Sequence, residues 1–256
     1  MTDSRKHVKL DKAPLCRAIC QMQFSQLFDL SDEKVSSIQK TLLDEYPNAS
    51  RARVVIGFEG EDIEENLRPT VSSLYRFSAL KGQCTISLTD RTVSLETTAY
   101  ERFTDFSARW EVITNFLEKD LGVRYQSRLG FRYTNVVQKK EVCSVLDWKG
   151  AICDSFLATE IEIAALNGAT PEFAQHQVRF NTAQGAFLVR YGSSPPPDDP
   201  TLPEGFLVDI DTYDDEPKRV DFAQQKYILA QWNHAMYQIL RWSVTDDQWV
   251  RFEPEG

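Results

Sequence analysis

Two long segments with helical apolar spacing, each following a series of short strand patterns, restrict the fold of this chain more than any other feature. At about 100–121, and again at about 221–242, large apolar residues recur every three or four positions. This spacing predicts two amphipathic helices, each with one buried face. The residues on these faces are Phe103, Phe106, Trp110, Ile113 and Leu117 in the first helix and Phe222, Leu229, Trp232, Met236 and Ile239 in the second.

Short strand patterns fill most of the remaining chain. After a charged N-terminal arm at 1–13, which is expected to be flexible, the first half (14–122) is predicted to run β-α-β-β-β-β-α. The second half (123–256) repeats this order, and the two halves are expected to pack as one globular unit. The sequence thus predicts an α+β fold with internally duplicated halves, in which a curved antiparallel sheet carries both long helices on one face. The predicted strands lie at about 15–25, 53–58, 73–80, 84–88, 92–98, 123–137, 158–166, 175–182, 185–192 and 205–213.

A weak internal similarity supports the duplication. Residues 75–79, followed by Gly82, resemble residues 178–182, followed by Gly185. An ancient repeat and independent strand-and-turn patterns explain this similarity equally well. Both explanations stay open on the sequence alone.

Composition and motifs exclude several classes of function. The chain has 38 acidic and 29 basic residues, a formal charge of −9, which argues against nucleic acid as a partner. No apolar run is long enough to cross a membrane, and the first residues lack the apolar core of a signal peptide, so a cytoplasmic protein is expected. The 5 cysteines and 3 histidines form no metal-ligand or nucleophile–base pattern, and no phosphate-binding glycine loop is present. We therefore expect no cofactor and no metal.

Several segments resemble a sporadically distributed family of uncharacterised prokaryotic proteins of about this length. The similarity extends over nearly the whole chain. It implies no catalytic residue, but the family's patchy distribution is similar to that of accessory components of antiviral defence or toxin–antitoxin systems. The segments that carry the resemblance are 13–15, 23–24, 75–78, Trp110, 130–135, 208–213 and 242–246.

The clearest polar pattern lies on the predicted strand at 123–137. Strand alternation places Arg124, Arg128 and Arg132 on one face, together with Gln126 and Thr134. Other predicted strands supply acids that could meet these arginines. The candidate acids are Glu160, Glu162, Asp209 and Asp211. A lattice of cross-strand salt bridges on a solvated face and a concave surface for a ligand or partner both fit the pattern.

These features favour a non-enzymatic interaction or sensor protein that binds a protein partner. The partner would dock on the open sheet or, if basic, on the acidic segment at 196–221. The alternative is an enzyme or a binder of a small or phosphorylated ligand that uses the charged face. Association with further copies of the chain stays open, and no membrane partner is expected.

Overall fold

Among the described residues, an antiparallel sheet of ten strands forms the centre of the molecule. The computed structural model describes residues 8–59, 68–193 and 202–255. The strands are β1 (Leu15–Phe24), β2 (Asn48–Glu59), β3 (Arg68–Ser78), β4 (Cys84–Leu88), β5 (Thr92–Thr97), β6 (Tyr125–Val137), β7 (Gln175–Thr182), β8 (Gly185–Gly192), β9 (Phe206–Asp214) and β10 (Lys218–Arg219).

The strand order places β1 and β6 side by side in the middle of the sheet. From one edge to the other the order is β2-β3-β4-β5-β1-β6-β9-β8-β7, and the two-residue strand β10 also pairs with β6. Every pairing is antiparallel. The predicted mixed class and the antiparallel sheet are therefore confirmed.

In the part of the chain that the structure describes, five α-helices connect and cover the strands. Polar side chains fix the starts of several of them: Ser31, Asp221 and Thr245 each accept a hydrogen bond from a backbone N–H in the first turn. The helices are α1 (Asp32–Leu42), α2 (Phe103–Lys119), α3 (Ala158–Asn167), α4 (Phe222–Ser243) and α5 (Asp246–Arg251).

The two long helices contact the same face of β6. The Phe106 ring of α2 stacks on Phe131, with ring centroids 5.1 Å apart. On α4, Asn233 accepts a hydrogen bond from the Tyr133 hydroxyl at 2.8 Å. Because Phe131 and Tyr133 are two residues apart on one strand, both helices lie over the odd-numbered residues of β6. Trp110 of α2 is 2% exposed in the core between them.

The prediction of a strand at 158–166 is wrong, because this segment forms α3. Its isoleucines alternate with glutamates, which imitates the two-residue period of a strand. Alanine, glutamate and leucine all favour a helix, and Gly168 ends it in the left-handed conformation at φ 68°. The acids Glu160 and Glu162 therefore belong to a helix and not to the sheet.

A β-bulge changes the alternation at the start of β6. In the pairing with β1, Gln23 lies opposite Arg128 and Phe24 lies opposite Gln126, so Ser127 is an extra residue on β6. Gln126 is thereby turned towards the helices, where its Oε1 accepts a hydrogen bond from Gln225 at 2.8 Å. The prediction that Gln126 shares the arginine face is therefore wrong.

The two ends of the described chain pair with each other. The backbone N–H of Lys12 donates to the carbonyl of Phe252 at 3.0 Å, and Leu10 bridges to Pro254. Residues 8–12 are thus held by the C-terminal segment, where the sequence predicted part of a flexible arm. Residues 1–7 of that predicted arm lie outside the described residues.

Candidate functional site

The sheet face opposite the long helices, called the open face here, carries mainly polar side chains. Its members follow from the strand registers, because residues that pair across antiparallel strands project to the same side. Ile19 of β1, for example, pairs with both Glu96 and Arg132. The charged residues of this face are Arg17, Arg76, Glu96, Arg128, Arg132, Arg179, Arg190, Asp209 and Asp211.

Asp209 is the structural centre of the open face. Its side chain is only 1% exposed, although it projects away from the helices. Oδ1 accepts hydrogen bonds from Arg132 Nε at 2.6 Å and from the Thr134 hydroxyl at 3.0 Å, and Oδ2 accepts one from Arg190 at 3.1 Å. A buried carboxylate is tolerated when charged donors satisfy it in this way. The two arginine side chains remain 41% and 37% exposed, so their outer edges face solvent.

The second carboxylate, Asp211, pairs with Arg128. Arg128 donates from one guanidinium nitrogen to Asp211 Oδ2 at 3.2 Å. Burial raises the pKa of the Asp211 carboxyl, and this effect exceeds the opposing effect of the neighbouring arginines. The two neighbouring guanidinium groups therefore do not fully offset the cost of burying the Asp211 carboxylate as an anion.

Tyr213 lies between two arginines on the same face. The guanidinium carbon of Arg128 is 4.8 Å from the ring centroid, and that of Arg179 is 5.6 Å from it. Gly130 lies opposite Tyr213 on β6, and a Cβ atom there would meet an Arg128 nitrogen at 2.9 Å. Glycine at this position therefore leaves room for Arg128 to lie flat along the sheet.

Cations exceed anions on the open face. Among the described side chains it carries six arginines and three carboxylates, whereas the whole chain has a net charge of −9. Within the described residues, Arg179 contacts the Tyr213 ring and has no carboxylate partner. We call Arg128, Arg132, Arg179 and Arg190 the arginine cluster. Their surplus positive charge makes this region attractive to an anionic group.

The structure brings together four of the seven predicted site residues. Arg128, Arg132, Asp209 and Asp211 form two adjacent ion pairs. Arg124 precedes β6 and lies outside the cluster, near Asp221 at the start of α4.

The two predicted acids on α3 lie away from the cluster. Glu160 is buried and bonds to His176 Nε2 at 2.7 Å, and Glu162 is exposed on the helix surface. The cause is the helical conformation of this segment, which removes both carboxylates from the strands.

Alternation along a strand could have revealed a residue that the sequence reasoning missed. Tyr213 follows Asp209 and Asp211 at two-residue spacing on β9, so it shares their face. Arg179 and Arg190 also alternate with apolar neighbours, which predicts that they lie on the charged face, but their approach to Tyr213 and Asp209 depends on the long-range registers of β7, β8 and β9.

Several carboxylates of the predicted acidic docking segment at 196–221 are engaged within the molecule. Its strand carboxylates bond to the arginine cluster, Asp214 pairs with Lys218, and Asp221 caps α4. Residues 196–201 lie outside the described residues. The open face is therefore the stronger candidate for a partner surface.

A cavity of about 430 Å³ lies on the helix side, between the N-terminal segment and α4. At its floor the Tyr133 hydroxyl lies 2.5 Å from the Tyr100 hydroxyl, and both bond to Asn233. Burial raises the pKa of both phenols, so they stay protonated at neutral pH. The hydroxyls bond to one another and to Asn233, and the cavity lining carries one lysine against two carboxylates, so this site has no surplus positive charge.

No protein-family model matches the chain, and a comparison with curated proteins finds no match. Across the described ranges, no helix is long and apolar enough to cross a membrane. In the same residues, no group of three histidine, cysteine or carboxylate side chains is placed to hold a metal ion. Function is therefore inferred from the geometry and charge of the open face.

Proposed function

We propose that this chain is a non-enzymatic interaction protein that binds an acidic surface of a protein partner through the open face. The observation that carries the proposal is the charge surplus of the arginine cluster. Four guanidinium groups surround two carboxylates, and Arg179 contacts only an aromatic ring among the described residues. Matching this surplus with partner carboxylates would satisfy donors that now face solvent.

The fixed positions of the cluster support a binding role. Asp209 orients Arg132 and Arg190, and Tyr213 orients Arg128 and Arg179. Arginines that are already held in place lose little side-chain entropy when a partner binds. Planar guanidinium groups also suit the bidentate recognition of carboxylates.

The chemistry of the cluster favours binding over catalysis. A general base or nucleophile needs an available lone pair near the substrate, but Asp209 has both oxygens engaged by donors. His176 projects to the helix side, where its ring stacks on Tyr191 and its Nε2 bonds to Glu160. The described part of the open face thus offers cations and hydroxyls but no histidine.

The family resemblance indicates where a partner should be sought. It suggests an accessory role in a prokaryotic defence or toxin–antitoxin-like system, within the cytoplasm. The first partners to test are therefore proteins encoded beside this one in its native genome.

We infer that the two halves arose by duplication, because each runs from a strand through a helix and several strands to a long helix. Their first strands, β1 and β6, pair at the centre of the sheet, with the later strands of each half placed outwards. Such an arrangement would set both long helices on one side and leave the other for a partner.

A second candidate function is binding of a small phosphorylated ligand. Arg128 and Arg179 flank one aromatic ring, an arrangement in which two guanidinium groups could hold a phosphate while the ring contacts the ligand body. Native mass spectrometry of protein purified from its host tests this candidate. A bound phosphorylated molecule that is lost from Arg179→Ala would favour it over a protein partner.

Affinity capture with three baits tests the main proposal. The baits are the natural sequence, Arg179→Glu and, as the matched control, Arg53→Glu on the helix side of β2, where Arg53 is exposed. We expect one stoichiometric protein with the natural sequence and with Arg53→Glu, and at least a tenfold loss with Arg179→Glu. Equal recovery by all three baits, or equal loss from both variants, would contradict binding through the open face.

A further inference from the structure

Strand β7 ends the sheet, and no described strand pairs with its outer edge. It pairs with β8 on one side, and no second strand partner occurs among the described residues. All its residues except His176 are exposed, including Val178 at 39% and Phe180 at 45%. An edge strand with unpaired backbone groups is a template for another strand.

The turn after β7 shows which backbone groups face outwards. Thr182 and Gly185 close a two-residue turn, and the closing pair of such a hairpin is hydrogen-bonded. Hydrogen-bonded and non-hydrogen-bonded pairs alternate along an antiparallel ladder. The outward N–H and C=O groups therefore belong to Gln175, Gln177, Arg179 and Asn181.

The opposite edge of the sheet, β2, is protected against pairing. Its register with β3 shifts between Val55 and Gly57, which marks an irregularity that bends the edge. Arg51 and Arg53 add like charges along this edge. β7, in contrast, pairs with β8 without a register shift over its whole length.

We propose that two copies of this chain join through antiparallel pairing of their β7 strands, centred on Val178. In this register Gln177 pairs with Arg179 of the second copy, and Gln175 pairs with Asn181. These are the residues whose backbone groups face outwards, so each pair exchanges two hydrogen bonds. On the helix side Val178 meets its own copy, and Phe180 meets His176.

This register is preferred by charge. Pairing centred on Arg179 would place two guanidinium groups directly opposite each other, which is destabilising. Pairing centred on Val178 places each Arg179 opposite a Gln177, and no pair joins two charged residues. The sequence of β7 is thus complementary to itself in this register.

The side chains on the open side of β7 already lean inwards. Arg179 lies over Tyr213, two strands away, and Gln177 Oε1 accepts a hydrogen bond from Arg190 at 3.0 Å. Within the described ranges, these side chains therefore leave the outer backbone edge open to a second strand. On the helix side the Phe180 ring stacks on Phe187, with centroids 4.7 Å apart, and its exposed remainder is apolar surface for the second copy.

A twofold axis perpendicular to the sheet keeps both open faces on the same side. Arg179 lies on β7 itself, so the two arginine clusters would adjoin across the axis. Self-pairing depends on the edge alone and stands without the proposed function. If both hold, one acidic partner surface would contact both clusters.

Analytical ultracentrifugation with a matched pair of variants tests the pairing. The natural chain, of 29.4 kDa, should sediment as a dimer in a concentration-dependent equilibrium. Val178→Lys would place two ammonium groups at the axis and should weaken association at least tenfold. Val55→Lys, the same change at an exposed valine on the other edge, should leave it unchanged. Both variants should keep the circular dichroism spectrum of the parent.

Cysteine crosslinking tests the register. Residues opposite each other at a non-hydrogen-bonded site lie close enough for a disulfide, so Val178→Cys should give a covalent dimer on mild oxidation. Arg179→Cys should not, because its own copy is displaced by two residues along the strand. Val55→Cys, an added cysteine on the other edge of the sheet, is the control for crosslinking that does not depend on the pairing of β7 strands. A monomer at all concentrations, or crosslinking of Val55→Cys to the same extent, would overturn the proposal.

Discussion

The two faces of the sheet use the same strands for different purposes, and β6 shows the contrast most clearly. Its odd-numbered residues Leu129, Phe131 and Tyr133 are buried beneath the helices. Its even-numbered residues Arg128 and Arg132 lie on the open face and stay partly exposed. The helix side thus stabilises the fold by burial of apolar surface, and the open side holds charged groups in fixed positions.

The largest expected effect is on the helix side. Trp110→Ala removes a buried indole of α2, together with its 3.4 Å hydrogen bond to Gln225 of α4. Truncation of a buried aromatic residue leaves a cavity, so we expect a loss of about 3–5 kcal/mol in the free energy of unfolding. Urea denaturation measures it, with Tyr227→Ala, at an exposed site on α4, as the control. An unchanged midpoint for Trp110→Ala would show that the helix face is not the main source of stability.

A smaller loss of stability is expected at the buried carboxylate of the open face. Asp209→Ala leaves Arg132, Arg190 and Thr134 without their shared acceptor. Because both arginines can still be hydrated, we expect a loss of about 2 kcal/mol, below the range for a fully buried ion pair. The same denaturation experiment applies, with Asp44→Ala as the exposed control. Equal stability of the two variants would mean that Asp209 does not organise the cluster.

Substitutions at two arginines of the cluster should affect stability and partner binding to different extents. Arg128→Ala loses the ion pair with Asp211 and the contact with Tyr213, so we expect about 1 kcal/mol of destabilisation and a smaller loss of partner affinity than Arg179→Ala causes. Arg179→Ala should lose partner affinity with almost no change in melting temperature. Thermal unfolding and the affinity of the captured partner are measured on both variants. An Arg128→Ala protein that keeps its stability but loses its partner would contradict this division.

The smallest expected effect is a pH dependence. Burial raises the pKa of Asp211, so the folded state binds its proton more tightly than the unfolded chain does. This carboxyl therefore lowers the free energy of unfolding as pH rises from its unfolded pKa of about 3.9 through its higher folded pKa. Asp211→Asn should gain stability relative to the natural chain across that interval, and Asp44→Asn should not. Parallel stability curves for Asp211→Asn and the natural chain would exclude this contribution.

Local patterns in the sequence predict much of the sheet but not its registers. Alternation placed Arg128 and Arg132 on one face, and Asp209 and Asp211 on one face of another strand, as the structure has them. The arginine face of β6 and the aspartate face of β9 lie on the same side of the sheet only because of the register between these two strands. The residues that pair in it are about eighty positions apart in the sequence. No local pattern contains this information.

Two errors have distinct physical causes. At Ser127 a single extra residue reverses the alternation, and a bulge of this kind leaves no mark on hydrophobic periodicity. Around Glu160 and Glu162 the two-residue alternation of isoleucine and glutamate outweighed the helix propensity of a ten-residue segment. The bulge removed Gln126 from the predicted arginine face, and the helix removed Glu160 and Glu162 from the predicted site.

Site-specific photocrosslinking in the native host tests most directly whether the open face binds the partner. A photoreactive amino acid replaces Gln21, which lies opposite Gly130 beside the arginine cluster, or Tyr227, which is 63% exposed on α4. We expect a covalent adduct with one protein from position 21, its loss when Arg179→Glu is added, and no adduct from position 227. An adduct from position 227, or none from position 21, would contradict the account.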